Sequence, residues 1–157
     1  MSSGTDIDAD GLAAELLGDI RTRLGGLQLA HARRVASAVR GDGDGAAVAA
    51  ALLHDVVETG QIADRHLDVV VSDPRVVELV RCLTRRPGES YRTYLTRCAA
   101  DPAALRIKRA DLADKLDAPD VQVPPVAAET IRGRARARLR ILDEIAVRFS
   151  RDPISAA

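Results

Sequence analysis

Two side chains capable of binding a metal ion, His54 and Asp55, lie next to each other in the apolar segment 49–58. His31 precedes this pair in the chain and Asp111 follows it, so that the order is His, His-Asp, Asp. Burying an imidazole and a carboxylate in an apolar helix is costly unless they are paired or bind a ligand. Imidazole and carboxylate together are typical ligands of divalent transition metals. The ordered quartet therefore predicts a metal site.

Each of these residues taken alone has a plainer interpretation. A single helical histidine such as His31 usually packs in the core or lies at the surface. Asp111 could simply pair with Arg109 or Lys115. His66 lies in a polar neighbourhood and is expected to be solvated. Since the chain has only three histidines, a two-metal site that recruits further imidazoles is disfavoured, and the quartet favours one metal ion.

The order and the flanks of the quartet resemble the HD-domain superfamily of metal-dependent phosphohydrolases, and most closely the hydrolases of guanosine tetra- and pentaphosphate alarmones. The resemblance covers roughly Leu27 to Asp117. It implies that His31, His54, Asp55 and Asp111 bind one divalent transition metal ion, usually Mn²⁺. Such an ion keeps positions open for water and a phosphate oxygen. The resemblance thus implies a phosphohydrolase acting on a nucleotide, with alarmones as the first candidates.

Glu58 is the expected general acid or base of this chemistry. On a helix it would lie one turn from His54 and Asp55, and it matches the glutamate thought to activate water in the alarmone hydrolases. Two residues depart from that family's pattern: Thr59 replaces a second acidic residue, and Lys115 stands where asparagine is favoured. A nucleoside monophosphate phosphohydrolase, or a catalytically weakened binding or regulatory module, therefore stays open as an alternative.

Substrate-binding residues are expected among the basic and aromatic side chains near the quartet. Arg21 and Arg23 precede the first histidine at positions where the alarmone hydrolases tend to place basic substrate contacts, although arginines on the surface of a first helix are common. Lys115 follows Asp111 by four residues and shares its helical face. Aromatic residues make up 2% of the chain, so a nucleobase could stack on Tyr91 at best.

The arginine-rich segment 132–140 could suggest nucleic-acid binding. Arg132, Arg136 and Arg140 form one helical stripe opposite an apolar face, which is typical of an amphipathic closing helix. The chain has equal numbers of acidic and basic residues, 23 each, and lacks aromatic residues between the arginines. We therefore expect no nucleic-acid partner, and we place this helix far from the metal site.

Composition and periodicity predict an all-α fold, a single compact HD-domain bundle of about seven helices. The 157 residues and 46% hydrophobic content suit one domain over residues 1–157, with its core at about 27–117. Helices are expected over residues 10–24, 27–40, 46–58, 74–85, 90–100 and 102–117, with a short helical segment at 62–71 and a closing helix at 127–149.

Location and partners follow from the same composition. Cys82 and Cys98 lack metal-type spacing and are expected to be reduced thiols in the interior. The chain shows no signal-peptide pattern and no apolar run long enough for a membrane span. We expect a soluble cytoplasmic protein without a membrane partner, whose ligand is a small phosphorylated nucleotide.

Overall fold

Eight α-helices make up the part of the chain that this computed structural model describes, residues 8–152. They are α1 (Ala9–Leu17), α2 (Gln28–Val39), α3 (Gly45–Leu53), α4 (Leu67–Val70), α5 (Pro74–Leu83), α6 (Tyr91–Ala99), α7 (Pro102–Asp117) and α8 (Pro125–Arg151). Short 3₁₀ turns precede α3 and α4. Within these residues, extended pairing is limited to one bridge between Arg21 and Leu27. The predicted all-α fold class is confirmed.

Side-chain caps define where most of these helices begin. Five of the helices start after an aspartate or serine whose side chain accepts a hydrogen bond from a backbone N–H of the first turn; these caps are Asp8, Asp44, Asp73, Ser90 and Asp101. Each cap satisfies a donor that has no partner inside its helix. Proline follows at the start of α5, α7 and α8, where its fixed φ suits the first turn.

Helix α3 occupies the centre of the bundle. It contains only Gly, Ala, Val and Leu, and α1, α2, α5 and α7 pack around it. Helix α8 lies across α6 and α7. The small alanine side chains of α3 allow its neighbours to approach closely, and α2 and α7 contribute Val35, Ile107 and Leu112, which are fully buried. This packing brings one face of α2, the end of α3 and one face of α7 together.

Polar groups enter this interior at one place. Among the described residues, the buried polar or charged ones are Gln28, His31, His54, Lys108 and Asp111. All five lie where α2, the end of α3 and α7 meet. Because burying such groups costs free energy unless they have partners, their clustering makes this junction the candidate functional site.

Two predicted helices end earlier than expected. The expectation that the third helix continues to about Glu58 is wrong: α3 ends at Leu53, and residues 54–60 form turns. The backbone there tightens into i→i−3 hydrogen bonds, such as Val56 N to Leu53 O at 3.1 Å. Helix α1 ends at Leu17, not Leu24, because residues 20–28 fold back on themselves through the hydrogen bond from Gln28 N to Ile20 O.

The loop between α5 and α6 is fixed by an arginine. Arg97 donates to both carboxylate oxygens of Glu89, at 2.7 and 3.0 Å, and also to the carbonyl oxygens of Cys82 and Thr84. The Glu89 side chain is 8% exposed. The Arg97 guanidinium holds the pKa of Glu89 at about 2, below its usual range. These bonds tie the loop of residues 84–90 to α6.

Other expectations concern features away from the junction. Cys82 and Cys98 are free thiols, half-buried and buried. None of the helices within residues 8–152 is both long and apolar enough to cross a membrane. The organisation of residues 1–157 as one domain stays a prediction, because residues 1–7 and 153–157 lie outside the described part of the chain.

We predict that Glu89→Gln lowers the free energy of unfolding by about 1–3 kcal/mol at neutral pH, since the negative charge and one of the two oxygens that accept from Arg97 are lost. The lowered pKa of Glu89 adds stability that is present above its ordinary pKa of 4.5 and is lost as the pH falls from there towards about 2. Denaturant unfolding at about pH 7 and about pH 3.5 should show a larger difference at the higher pH. The exposed control Glu144→Gln should change stability by less than about 0.5 kcal/mol at either pH.

Candidate metal centre and cavity

The four residues of the predicted quartet lie together at the junction of three helices. His31 projects from α2, Asp111 projects from α7, and His54 and Asp55 occupy the first two positions after α3. His31, His54 and Asp111 are 3%, 3% and 2% exposed, whereas Asp55 is half-buried. The exposed His66 lies outside this group, as expected from the sequence.

The imidazole Nε2 atoms and the carboxylates face a common centre. The Oδ1 atom of Asp111 lies 3.2 Å from Nε2 of His31 and 3.7 Å from Nε2 of His54. The Oδ2 atom of Asp55 lies 3.2 Å from Nε2 of His54 and 3.7 Å from Nε2 of His31. His31, His54 and Asp111 each offer one atom that could bind a metal ion, and these three atoms all lie within 4.8 Å of one another. These three residues could hold a divalent metal ion, with Asp55 adjacent to both imidazoles.

Both imidazoles are oriented through their other nitrogen. Nδ1 of His31 lies 2.7 Å from Oδ2 of Asp114, and Nδ1 of His54 lies 2.6 Å from the carbonyl oxygen of Ala51. A carbonyl oxygen only accepts, so Nδ1 of His54 donates. The two Nε2 atoms are buried and have no hydrogen-bond partner among the described residues. This is the arrangement of metal-ligating histidines, which donate Nδ1–H to an acceptor and leave Nε2 for the ion.

The electrostatics of the cluster favour positive charge at its centre. Burial alone would lower the pKa of His54, but Asp55 and Asp111 outweigh it and raise that pKa to about 10. The pKa of His31 is raised in the same way, against the effect of burial, by Asp111 and Asp114. The same carboxylates would stabilise a divalent cation between neutral imidazoles. The donor set and its charge therefore fit a metal ion.

Three further residues that the sequence did not single out support the quartet. Arg34 donates to both oxygens of Asp114, at 2.7 and 3.0 Å, and so fixes the carboxylate that orients His31. Gln28 donates from Nε2 to Oδ2 of Asp55. Helical spacing could have identified these residues, because side chains three positions apart lie on the same face of a helix. Gln28 and Arg34 are three residues from His31 on either side, and Asp114 is three residues after Asp111.

Two lysines contact the same carboxylate. Nζ of Lys108 lies 2.7 Å from Oδ2 of Asp111, and Nζ of Lys115 lies 2.9 Å from Oδ1. Burial by itself would raise the pKa of Asp111, but the two ammonium groups hold that pKa well below its ordinary value. Lys115, predicted to bind substrate, is therefore bound to a residue of the quartet in this structure.

The cluster opens into a cavity of about 690 Å³. Nine of its lining side chains are basic and four are acidic, although the whole chain has no net charge. The basic ones are Arg21, Arg23, Arg34, Arg85, Arg86, Lys108, Lys115, Arg134 and Arg138. The excess of positive charge is thus local, and it suits an anionic ligand.

The residues predicted to act on a substrate all line this cavity. Arg21 and Arg23 reach it from the loop after α1 and not from a first helix. Tyr91 lies at its wall with the guanidinium carbon of Arg138 3.8 Å from the ring centroid, so an arginine already covers one face of the ring. Glu58 also lines the cavity, from the turn after α3.

Glu58 is placed by a contact and not by helical spacing. The prediction that it lies one helical turn from His54 and Asp55 is wrong, because α3 has already ended. Instead, Oε1 of Glu58 accepts a hydrogen bond of 2.8 Å from the backbone N–H of Arg85. This bond joins the turn after α3 to the α5–α6 loop and leaves the carboxylate at the cavity wall. Thr59 also lines the cavity, and its hydroxyl donates to the carbonyl oxygen of Asp55.

Helix α8 is closer to the site than its sequence pattern predicted. Arg134 and Arg138, four residues apart, line the cavity together with Ile131 and Ala135. The stripe emphasised from the sequence is a different one, and within it Arg136 pairs with Glu129. The expectation of a remote closing helix is therefore wrong. Its charges at alternate positions form two stripes, and only the packing against α7 decides which one faces the site.

Comparisons with known proteins agree with this fold. No family of known sequences and no curated protein is matched by the chain. A solved structure described as a metazoan ortholog of SpoT that hydrolyzes ppGpp and plays a role in starvation responses superposes with a TM-score of 0.61. The match covers 96% of this chain and 97% of that one at 22% sequence identity. The two chains share one all-helical fold, which confirms at the level of fold the resemblance noted from the sequence.

We predict that Asp114→Asn weakens binding of a divalent ion by about 10- to 100-fold, because His31 loses the carboxylate that fixes its orientation and its Nδ1 proton. Asp120→Asn is the matched control, since Asp120 also contacts Arg34, at 3.3 Å, but orients neither imidazole. Calorimetric titration with Mn²⁺ measures both affinities. Equal weakening by the two variants would assign the effect to Arg34 and not to His31.

Proposed function

We propose that the protein is a metal-dependent phosphohydrolase that acts on a phosphorylated nucleotide, with guanosine tetraphosphate-type alarmones as the first substrate class. One observation carries this proposal: two buried imidazole Nε2 atoms without hydrogen-bond partners face a carboxylate at the floor of a cavity rich in basic side chains. The shared fold with a chain described as hydrolyzing ppGpp supports it.

The metal would be held by His31, His54 and Asp111, with Asp55 as the fourth ligand. A divalent ion bound there would lower the pKa of a coordinated water and offset negative charge on a phosphoryl group. Asp114 and the carbonyl of Ala51 keep the two imidazoles in the tautomer that presents Nε2. Mn²⁺ as the native ion and the cytoplasm as the compartment are part of the proposal and rest on the resemblance and on composition.

The substrate class follows from the charge of the cavity. A nucleotide with phosphates at more than one position needs several cations, and the cavity offers them on separate elements: Arg21 and Arg23 on the loop before α2, Arg85 and Arg86 on the α5–α6 loop, and a third pair on α8. Arginine matches phosphate with its planar set of donors. A single phosphate would leave most of these groups without a partner, which favours a polyphosphorylated nucleotide over a monophosphate.

Glu58 would move the proton of the attacking water. Its carboxylate lines the cavity, and the backbone N–H of Arg85 holds Oε1 in place while Oε2 stays available. Thr59 cannot share this role, because a hydroxyl does not titrate near neutral pH. The Thr59 hydroxyl also donates a hydrogen bond to the carbonyl oxygen of Asp55. Proton transfer would thus depend on Glu58 alone.

A weakened binding or regulatory module is the second candidate. The observation that favours it is the occupation of both oxygens of Asp111 by lysine ammonium groups, which makes this carboxylate a poorer ligand. Such a module would bind the nucleotide in the basic cavity without converting it.

Assay of the Mn²⁺-loaded protein against nucleotides with phosphates at one or two positions tests the proposal. We expect phosphate or pyrophosphate release from a doubly phosphorylated guanosine nucleotide, and no release by His54→Ala, which removes one Nε2 ligand. Tight binding of the nucleotide without turnover would select the regulatory module. Activity that survives both chelation and His54→Ala would exclude metal-dependent hydrolysis at this site.

Glu58→Gln should lower turnover by about two to four orders of magnitude while leaving metal content unchanged. Glutamine keeps an oxygen to accept the Arg85 N–H, so the loop should stay in place and only the proton-transferring group is lost. Single-turnover kinetics and elemental analysis on the same sample check both parts. Turnover close to that of the unmodified protein would remove Glu58 from the mechanism without affecting the metal site.

A further inference from the structure

Both lysines of this chain contact the same residue, Asp111. Of the 23 basic residues other than histidine, 21 are arginines, and the two lysines are Lys108 and Lys115. Both bind Asp111, one on each carboxylate oxygen. One negative charge is therefore shared by two ammonium groups as well as by two imidazoles, so one of the ammonium groups is in excess of what Asp111 needs for neutrality.

The surroundings of the two lysines differ. The Lys108 side chain is 8% exposed, and its ammonium lies 5.1 Å from the ring centroid of Tyr94 and 5.9 Å from that of Tyr91. The Lys115 side chain is 33% exposed and forms part of the cavity wall. Lys108 is thus fixed in the interior, whereas Lys115 has open space beside it.

The two oxygens of Asp111 differ as well. Lys108 binds Oδ2, whereas Lys115 binds Oδ1, the atom that faces both Nε2 atoms. A cation coordinated by His31, His54 and Asp111 would use Oδ1 and would lie close to the Lys115 ammonium. Two positive charges at such a distance repel each other, and more strongly in a partly buried site than in water.

We infer that Lys115 is a displaceable counter-ion of the metal site: it pairs with Asp111 when no metal is bound, and it turns into the cavity to bind a phosphoryl group when the metal is present. This inference rests on the proposed function and names the residue that couples its two ligands. Lysine suits the role because its ammonium is a single flexible point of contact. An arginine would hold the carboxylate with two bonds.

Displacement of Lys115 would couple the binding affinity for the metal ion to the binding affinity for phosphate. Metal binding has to release Lys115 from Asp111, so Lys115 lowers the affinity for the ion. A phosphate in the cavity gives the released ammonium a new partner and should recover part of that loss. Because such coupling is reciprocal, the ion would tighten phosphate binding to the same degree. Lys115 would thereby disfavour occupation of the site by the metal alone.

Metal affinity tests the inference directly. In Mn²⁺ titration of the full chain, followed by the electron paramagnetic resonance signal of free Mn²⁺, we expect Lys115→Met to bind about 10- to 100-fold more tightly than the unmodified protein. Arg86→Met is the matched control: it removes a positive charge from the same cavity, and the Arg86 side chain makes no ion pair among the described residues. Its affinity should change less than about two-fold.

Lysine acetylation provides a second measurement that is independent of activity. Only two lysine side chains can react, so mass spectrometry after a short pulse of acetic anhydride measures each of them in one sample. Saturating Mn²⁺ should raise the acetylation rate of Lys115 several-fold, and Lys108 should stay protected as the internal control. An unchanged rate at Lys115 would show that its ammonium does not leave Asp111.

These titrations distinguish the displacement of Lys115 from the metal site itself. If Mn²⁺ binds with the same affinity to the unmodified protein and to Lys115→Met, the displacement of Lys115 is wrong and the metal site stands. The same conclusion holds if Arg86→Met tightens binding equally, since general cavity charge would then be the cause. If neither the unmodified protein nor Lys115→Met binds Mn²⁺, the proposed function itself fails.

Discussion

The orientation of two imidazoles is the constraint on which the site depends. His31 lies on α2 and His54 directly follows α3, and each imidazole needs an acceptor at Nδ1 to fix its rotation about the side-chain bonds. Asp114 and the carbonyl oxygen of Ala51 supply those acceptors, and both Nε2 atoms are thereby directed at Asp111. The apolar packing of α2, α3 and α7 provides the second condition, because it excludes water that would otherwise satisfy the imidazoles. The two Nε2 atoms are buried without a hydrogen-bond partner, which costs free energy. Binding a cation would offset that cost.

The excess of positive charge in this protein is confined to the cavity. The chain as a whole is neutral, so it has no long-range field to attract polyanions. The cavity nevertheless concentrates arginines from four separate elements around an acidic floor. The acidic floor suits a cation and the basic walls suit an anion, which is the pattern required when a metal ion and a phosphorylated ligand bind side by side. The two lysines on Asp111 lie at the boundary between the two regions.

The sequence predicted the parts of this arrangement that depend on local order. Alternation of cap residues, apolar stripes and glycines defined most helices, and α7 was placed correctly from Asp101-Pro102 to Asp117. The quartet was found because its types and order are unusual in an apolar context, and the structure brings all four residues together.

The parts that were missed depend on tertiary contacts. The end of α3 was placed too late because Val56 and Val57 continue the apolar pattern, and only the i→i−3 hydrogen bonds reveal the turn. Arg138 was not singled out because every second residue from Arg132 to Arg140 is an arginine, so periodicity cannot say which stripe packs inward. Glu58 reaches the cavity through the Arg85 N–H, a contact between residues 27 positions apart.

Anomalous diffraction from crystals grown with Mn²⁺ would locate the ion among these side chains. We expect one strong anomalous peak per chain, at bonding distance from Nε2 of His31, Nε2 of His54 and Oδ1 of Asp111, with Nδ1 of each imidazole still bound to its acceptor. A peak at any other group of residues, coordination through Nδ1, or no peak under conditions where Mn²⁺ is saturating would contradict this expectation.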